Sequence, residues 1–278
     1  MAGTLLHVTL AMRAAEAADD APARSIARRH PHDYTMGAVL VDIPYYDRLV
    51  RTALLMALRR PLRHHSFGAD LHRRSPAGLC LALLDAARTD AERALGLGAL
   101  THHAVDLVFH PEIERRVREA GGGGHDPDGL HKKIEDEIDL HCHYDLLGTS
   151  GVGTAYARRA LAVEPESDWT AVVRNAIVRI HGEAPSAEKL CAWRAELALF
   201  GLTSSWGGAP WVKTLPADDP DLLERSIALA DAAIASAAEH IVCGARYLSG
   251  AVDRDGFFAV VRDLSLIDGG PAEPPVSG

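Results

Sequence analysis

Apolar positions recur at helical spacing along most of the chain, and no stretch alternates at period two over a convincing length. Residues 4–18 carry Leu5, Leu6, Val8, Leu10 and Met12 ahead of an alanine-rich end, which predicts a helix. A looser segment follows through Pro22 and Pro31. Residues 37–46 read as a buried turn, because Asp42 is their only charge and Pro44 biases Ile43 away from helix. Residues 47–60 are expected to be helical, with Leu49, Ala53, Leu54 and Leu58 on one side, until Pro61 stops them. A loop rich in arginine and histidine leads to Arg74. Ser75 and Pro76 then suit an N-cap and first helical position, for a helix to about Arg88. Asp90 caps the next helix, which ends near Pro111, and the glycines at 121–124 break the chain before a helix over 128–147.

Residues 148–154 are glycine-rich and make the best candidate boundary. Beyond them Asp168 caps a helix to Gly182 and Ser186 caps another to Leu202. Asp219 and Pro220 open a long helix to Gly250 with Leu223, Ile227, Ala230, Ile234 and Ile241 as its core stripe. Residues 255–267 form the last helix. The expected fold is all-α: a metal-binding helical core over 1–148, C-terminal helices over 149–268 packed on it in one domain, and a disordered glycine- and proline-rich tail over 269–278.

Composition narrows the function. A chain of 278 residues with 47% hydrophobic and 24% charged residues is an ordinary soluble globular protein. Its net charge of −9 argues against a general nucleic-acid coat. Four cysteines without a CxxC favour reduced thiols and a cytoplasmic protein. The apolar run at the N-terminus is broken by His7, and the first cation, Arg13, follows that run, so no secretory signal is expected. No run of 18 apolar residues occurs, so no transmembrane segment is expected either. Histidine is the outlier: of 15, all but His181 and His240 lie at or before His143.

Residues 101–135 hold five of those imidazoles. His102 and Asp106 are four apart, as are His131 and Glu135, so each pair shares a helix face and can present a nitrogen and an oxygen to one cation. His110 continues the first stripe, within roughly 80° of His102 around the axis. Imidazole with carboxylate suits zinc, with iron or manganese possible, and points to a metal-dependent hydrolase. His7 inside an apolar helix and Asp42 in an apolar turn each need a partner to offset desolvation. His103 faces away from His102 and is expected to be structural or to support a ligand, and His240 is expected in the core.

Taken in order, His7, Asp42, His72 (or His65), the His102–Asp106 pair, His110 and the His131–Glu135 pair resemble the zinc-dependent phospholipase C family, and more distantly the single-strand-specific zinc nucleases. The resemblance covers roughly residues 1–148. It implies a multi-helical bundle with two or three zinc ions. One would take Asp42, His72, His102 and Asp106; a second His110, His131 and Glu135; a third His7 and the far oxygen of Asp106. It also implies a zinc-dependent phosphodiesterase in which a metal-bound hydroxide attacks phosphorus, with Asp42 and Asp106 at the chemistry and Asp42 a candidate general base. Arg63 and Arg73 are candidate phosphate contacts, and Tyr45 a candidate pocket wall. The substrate would be a phospholipid headgroup or a small phosphodiester. Family members add a processed N-terminal residue as a ligand; here Ala2 stands five residues before His7. Two rivals remain. One is an HD-type metal phosphohydrolase, from His32–Asp33 or His125–Asp126, both expected in loops. The other is a metal-stabilised helical binding protein without activity.

Overall fold

Thr4–Ala17 forms the first helix, α1, and its surroundings are unusual: Leu6, Val8, Leu10, Ala11 and Ala14 are buried, and so are His7 and Thr9 between them. A helix apolar on nearly every face belongs inside the molecule. The computed structural model describes residues 4–47, 66–120, 130, 131, 134, 135, 138, 163, 165–203 and 220–276. The expected helix over 47–60, save Asp47 itself, the residues around Arg63, His64 and His65, and the boundary at 148–154 lie outside them.

Two helices occupy the segment expected to be loose, α2 (Ala21–Arg29) and α3 (Pro31–Ala38). Pro22 and Pro31 each stand in a first turn, where no intrahelical N–H is needed, so they start helices instead of breaking them. The Asp20 carboxylate caps α2 by accepting from Ala23 N–H at 2.9 Å. After α3 the buried turn proves to be a 3-10 helix, Leu40–Tyr46, with Pro44 inside it. The stretch before Arg74 was expected to be a loop, yet Ser66–Arg73 is helical (α4).

The next helix, α5 (Pro76–Ala86), starts where expected but by another device. Ser75 is left-handed at φ 42° and makes no side-chain cap. Its hydroxyl donates to Asp263 at 2.7 Å, and that carboxylate also accepts from Ala77 N–H at 3.0 Å. Thr89 and Glu92 form the capping box of α6 (Asp90–Ala120): Glu92 accepts from Thr89 N–H at 2.8 Å and Thr89 from Glu92 N–H at 3.2 Å. The helix does not end at Pro111. That ring is exposed, on a side where the carbonyl left without its partner can be hydrated.

Beyond α6 residues 130, 131, 134, 135 and 138 are helical. Four more helices follow: α7 (Trp169–His181), ended by Gly182 at φ 79°, α8 (Ala187–Thr203), capped by Ser186, α9 (Pro220–Leu248) and α10 (Arg254–Val260). α10 is shorter than the expected 255–267. In the α9 stripe Ala230 and Ile241 are buried, whereas Ile227 is 37% exposed. The fold is all-α, and the described residues contain no strand, only isolated bridges between Arg74 and Glu273 and between Leu264 and Pro271.

α6 is the spine: α1, α2, α3, α5 and α9 all pack on it. The largest apolar cluster draws on both halves of the chain, from Val8 and Leu97 to Trp169, Ile241 and Phe257. A second joins Leu6, Leu10, Val105, Phe109 and Ile113 to Ile134 and Ile138. The crossing of α3 and α6 is very close, because a Cβ on Gly37 would meet Leu95 O at 2.0 Å and one on Gly98 would meet Tyr34 O at 2.0 Å. Part of α9, Glu224–Leu248, is long and apolar enough by composition to cross a bilayer (mean hydropathy 1.4). Here Ala230, Ala233, Ala237 and Ile241 are buried on the side packed against α1 and α6.

The tail expected to be disordered is docked. Glu273 N–H donates to Arg73 O and Ser75 N–H to Glu273 O, each at 2.9 Å, and Val276 N–H donates to Ile180 O at 2.9 Å. Arg74 adds a 2.8 Å bond to the Glu273 carboxylate. Just before it, Leu266 N–H donates to the carbonyl of His72 at 2.8 Å. Composition alone reads glycine and proline as disorder; these backbone partners on α4 and α7 are what hold residues 269–276 in place.

Candidate metal centre

Four residues at steps of four along α6, His102, Asp106, His110 and Glu114, form one stripe that drifts about 40° per step. The drift lets a single helix face different partners in turn. Near His102 it meets the 3-10 turn and α4; near Asp106 it meets α1; near His110 and Glu114 it meets the helical residues around His131.

Asp106 is the hub. Its Oδ2 lies 3.0 Å from His102 Nε2 and 3.6 Å from His72 Nε2, while its Oδ1 lies 3.2 Å from His7 Nε2 and 3.6 Å from His110 Nε2. Asp42 sits 3.3 Å from His72 Nε2 through Oδ1 and 3.9 Å from His7 Nε2 through Oδ2. His131 Nε2 is 2.8 Å from Glu135 Oε1, which is 3.9 Å from His110 Nε2. Among the described residues three groups therefore have donor atoms close enough to share a cation: Asp42 with His72 and His102; His7 with His102 and Asp106; His110 with His131 and Glu135. All the residues that the sequence put forward as ligands are gathered here. Only His65, the alternative to His72, lies outside the described residues.

The far sides of the rings are already tied. His102 Nδ1 is 3.0 Å from Ala38 O, and His72 Nδ1 is 2.7 Å from Gly68 O. A proton held at Nδ1 leaves the Nε2 lone pair facing inward, the tautomer that metal ligation needs. His7 and His102 stack at 4.1 Å between ring centroids.

Burial shows what the cluster lacks. His7, Asp42, His102 and Asp106 are at most 2% exposed. Yet among the described residues both nitrogens of His7, Oδ2 of Asp42 and Oδ1 of Asp106 find no hydrogen-bond partner, and the 3.0 Å approach of His102 Nε2 to Asp106 Oδ2 is a hydrogen bond only when that nitrogen carries a proton. Buried polar groups are seldom left so, because each costs its desolvation. Cations among them would engage Nε2 of His7, Nε2 of His102 and the carboxylate oxygens together, and nitrogen with carboxylate oxygen is a zinc donor set. The charges already lean that way. Burial works against a charged Asp106, but the His102, His110 and His7 imidazoles hold its carboxyl well below the usual range. Asp42 is lowered against burial by His102, His72 and His7. In the metal-free centre the same carboxylates, Asp106 and Asp42, raise His102 to about 9 against burial, and an incoming cation has to displace that proton.

Other residues named from the sequence fall around this centre or away from it. Tyr45 is half-buried with its ring 5.6 Å from that of His72; burial, Asp42, Glu135 and Asp106 all push its hydroxyl upward, so it stays protonated. Arg73 is exposed at the end of α4, and Arg63 lies outside the described residues. His103 faces His240 at 5.5 Å, and burial depresses them to about 3 and about 4, which keeps this core pair neutral. The His32–Asp33 dipeptide is helical, in α3, and Asp33 accepts from Glu166 N–H at 2.9 Å and Ser167 N–H at 3.1 Å. Its carboxylate pins a later segment and joins none of the three groups. His125–Asp126 lies outside the described residues.

One carboxylate had escaped the sequence reading. Glu114 Oε1 lies 3.0 Å from His131 Nδ1. Its spacing of four from His110 was the available signal, but only the fold brings His131 to it.

Comparison with curated proteins and with solved structures returned no match. Residues 6–172 match the family model described as zinc dependent phospholipase C, more than half of the chain and reaching past residue 148 into α7. Together with the gathered imidazoles and carboxylates, that match shows that the chain belongs to the zinc-dependent phospholipase C family.

Proposed function

We propose that this centre hydrolyses a phosphodiester, releasing an alcohol and a phosphomonoester. Family membership supplies the coarser part, a phospholipase C-like hydrolase that depends on zinc. The observation that carries the finer reading is Asp106, whose two oxygens face different imidazoles and can bridge two cations. Asp42, His72, His102 and Asp106 would hold one ion, His110, His131 and Glu135 a second, and His7 with the far oxygen of Asp106 a third. Two or three zinc ions there would supply Lewis acidity, making water a nucleophile near neutral pH and offsetting charge on the phosphoryl oxygens; iron or manganese would suit the same donors.

The chain's own residues do the rest. Asp106 fixes the spacing of the sites. Asp42 is a ligand and, with one oxygen free, a general base for the attacking water. Tyr45, protonated and half-exposed beside His72, can donate a hydrogen bond to a phosphoryl oxygen. Arg73, exposed at the end of α4, and Arg63 would supply charge-assisted contacts to phosphate. The substrate class in this reading is a phospholipid headgroup or a small phosphodiester.

The test is turnover of bis-p-nitrophenyl phosphate by zinc-loaded and chelator-stripped protein, followed by a panel of phosphatidylcholine, single-stranded DNA and glycerophosphodiesters. Turnover that vanishes on chelation and returns with zinc supports the reading. A fully metallated protein that turns over none of them is a metal-stapled structural protein instead.

A further inference from the structure

We propose that Glu114 is a positioning residue for His131, fixing the ring so that its Nε2 serves the cation site shared with His110 and Glu135; this rests on the metal-centre reading above. His102 and His72 rest their Nδ1 atoms on backbone carbonyls, Ala38 O and Gly68 O. His131 differs. Its Nδ1 is 3.0 Å from a carboxylate oxygen of Glu114, while its Nε2 is 2.8 Å from Glu135. A carboxylate behind a ligating imidazole holds the proton at Nδ1, locks the ring and makes Nε2 a stronger donor than a carbonyl would.

The placement favours this over an ordinary surface ion pair. His131 is the most exposed of the candidate ligands, with 17% of its side chain accessible, so packing does least to fix its ring. Glu114 and His110 come from the same stripe of α6, so one rigid helix supplies both a ligand and the brace for a ligand on another segment. Two neighbouring cations on α6 pair with other carboxylates: Arg115 with Glu112 and Glu119, and Arg116 with Glu112. An exposed pair alone would contribute little; its value here is geometric.

The experiment is equilibrium dialysis of the full chain against zinc and against cobalt(II), for the wild type and for Glu114→Ala, Glu114→Gln and Glu114→Asp. The expected result is that Glu114→Ala weakens one ion by about 10–100-fold and alters the visible cobalt spectrum of that site. The remaining ions should keep their affinity, and Glu114→Asp should restore part of the loss. Glu114→Gln, close in shape but uncharged, should fall between the wild type and alanine. Wild-type affinity and spectrum in Glu114→Ala overturn the proposal, and so does an equal loss at every ion, which marks a general folding defect. A wild-type protein that binds no metal removes the metal-centre reading and this proposal together. Wild-type metal binding that Glu114→Ala leaves untouched removes this proposal alone.

Discussion

His7 Nε2 lies 3.2 Å from Asp106 Oδ1, across the contact between α1 and α6. Both side chains are almost wholly buried, His7 among Leu6, Val8 and Leu10, so apolar packing on all sides of α1 carries the imidazole to the carboxylate. The hydrophobic core thus sets the geometry of the polar site, and substitutions that shift the helices should be felt at the cations.

Asp106→Asn keeps the shape of the hub and removes its charge. Zinc content should drop by at least one ion, and phosphodiester turnover by ~100-fold or more, above the range for outer-shell partners. Elemental analysis beside the turnover assay checks both. Full zinc content in this variant would show that Asp106 is not a ligand.

The metal-free protein should bind zinc more tightly as pH rises. His102 is raised from 6.5 to about 9 by Asp106 and Asp42 acting against burial. A raised pKa stabilises the folded apo-protein fully below the unfolded value, and that contribution is lost as pH climbs through about 9. Zinc must displace this proton, so between about pH 7 and 9 its affinity should rise close to tenfold per unit. Calorimetry in buffers of different ionisation enthalpy measures the proton released. The carboxyl of Asp106 has the opposite sign: its stabilisation is present above its unfolded value of 3.8 and lost only as pH falls through the lower folded one.

Gly98→Ala should loosen the centre without touching it. Its new Cβ would meet Tyr34 O at 2.0 Å, which forces α3 away from α6. Ala38 at the end of α3 supplies the carbonyl that orients His102, so the brace moves as well. Overpacking of this kind costs about 1–3 kcal/mol. Thermal unfolding should show that loss, with weaker zinc binding alongside; unchanged affinity would uncouple the helix crossing from the site.

Removing residues 269–278 should weaken the ion held by His72. The tail bonds Arg73 and Ser75 at the end of α4, and each such bond is worth about 0.5–1.5 kcal/mol net. Limited proteolysis should cut α4 faster in the shortened protein, and its zinc affinity should fall. Equal protection of α4 in both forms would contradict the role given to the tail.

How much of this was legible in the sequence depended on distance along the chain. The His102–Asp106 and His131–Glu135 pairs follow from helical periodicity, which is local. His7, Asp42 and His72 carry no local signature strong enough to join them to that set, and only their order, through the family resemblance, did so. Glu114 shows in the sequence only as a fourth step on the His102 stripe, because its partner His131 reaches it through tertiary packing. Prolines misled in one direction: the segment through Pro22 and Pro31 read as loose although a first turn accepts them, and Pro111 read as a stop although α6 runs on with that ring exposed. The tail misled because backbone pairing with α4 leaves no trace in composition.

Counting the zinc bound at equilibrium by the purified full chain, from a chelator-stripped start, tests the central claim most directly. The account predicts two or three tightly bound ions, with fewer after Asp106→Asn. A folded, helical protein that takes up none would contradict it.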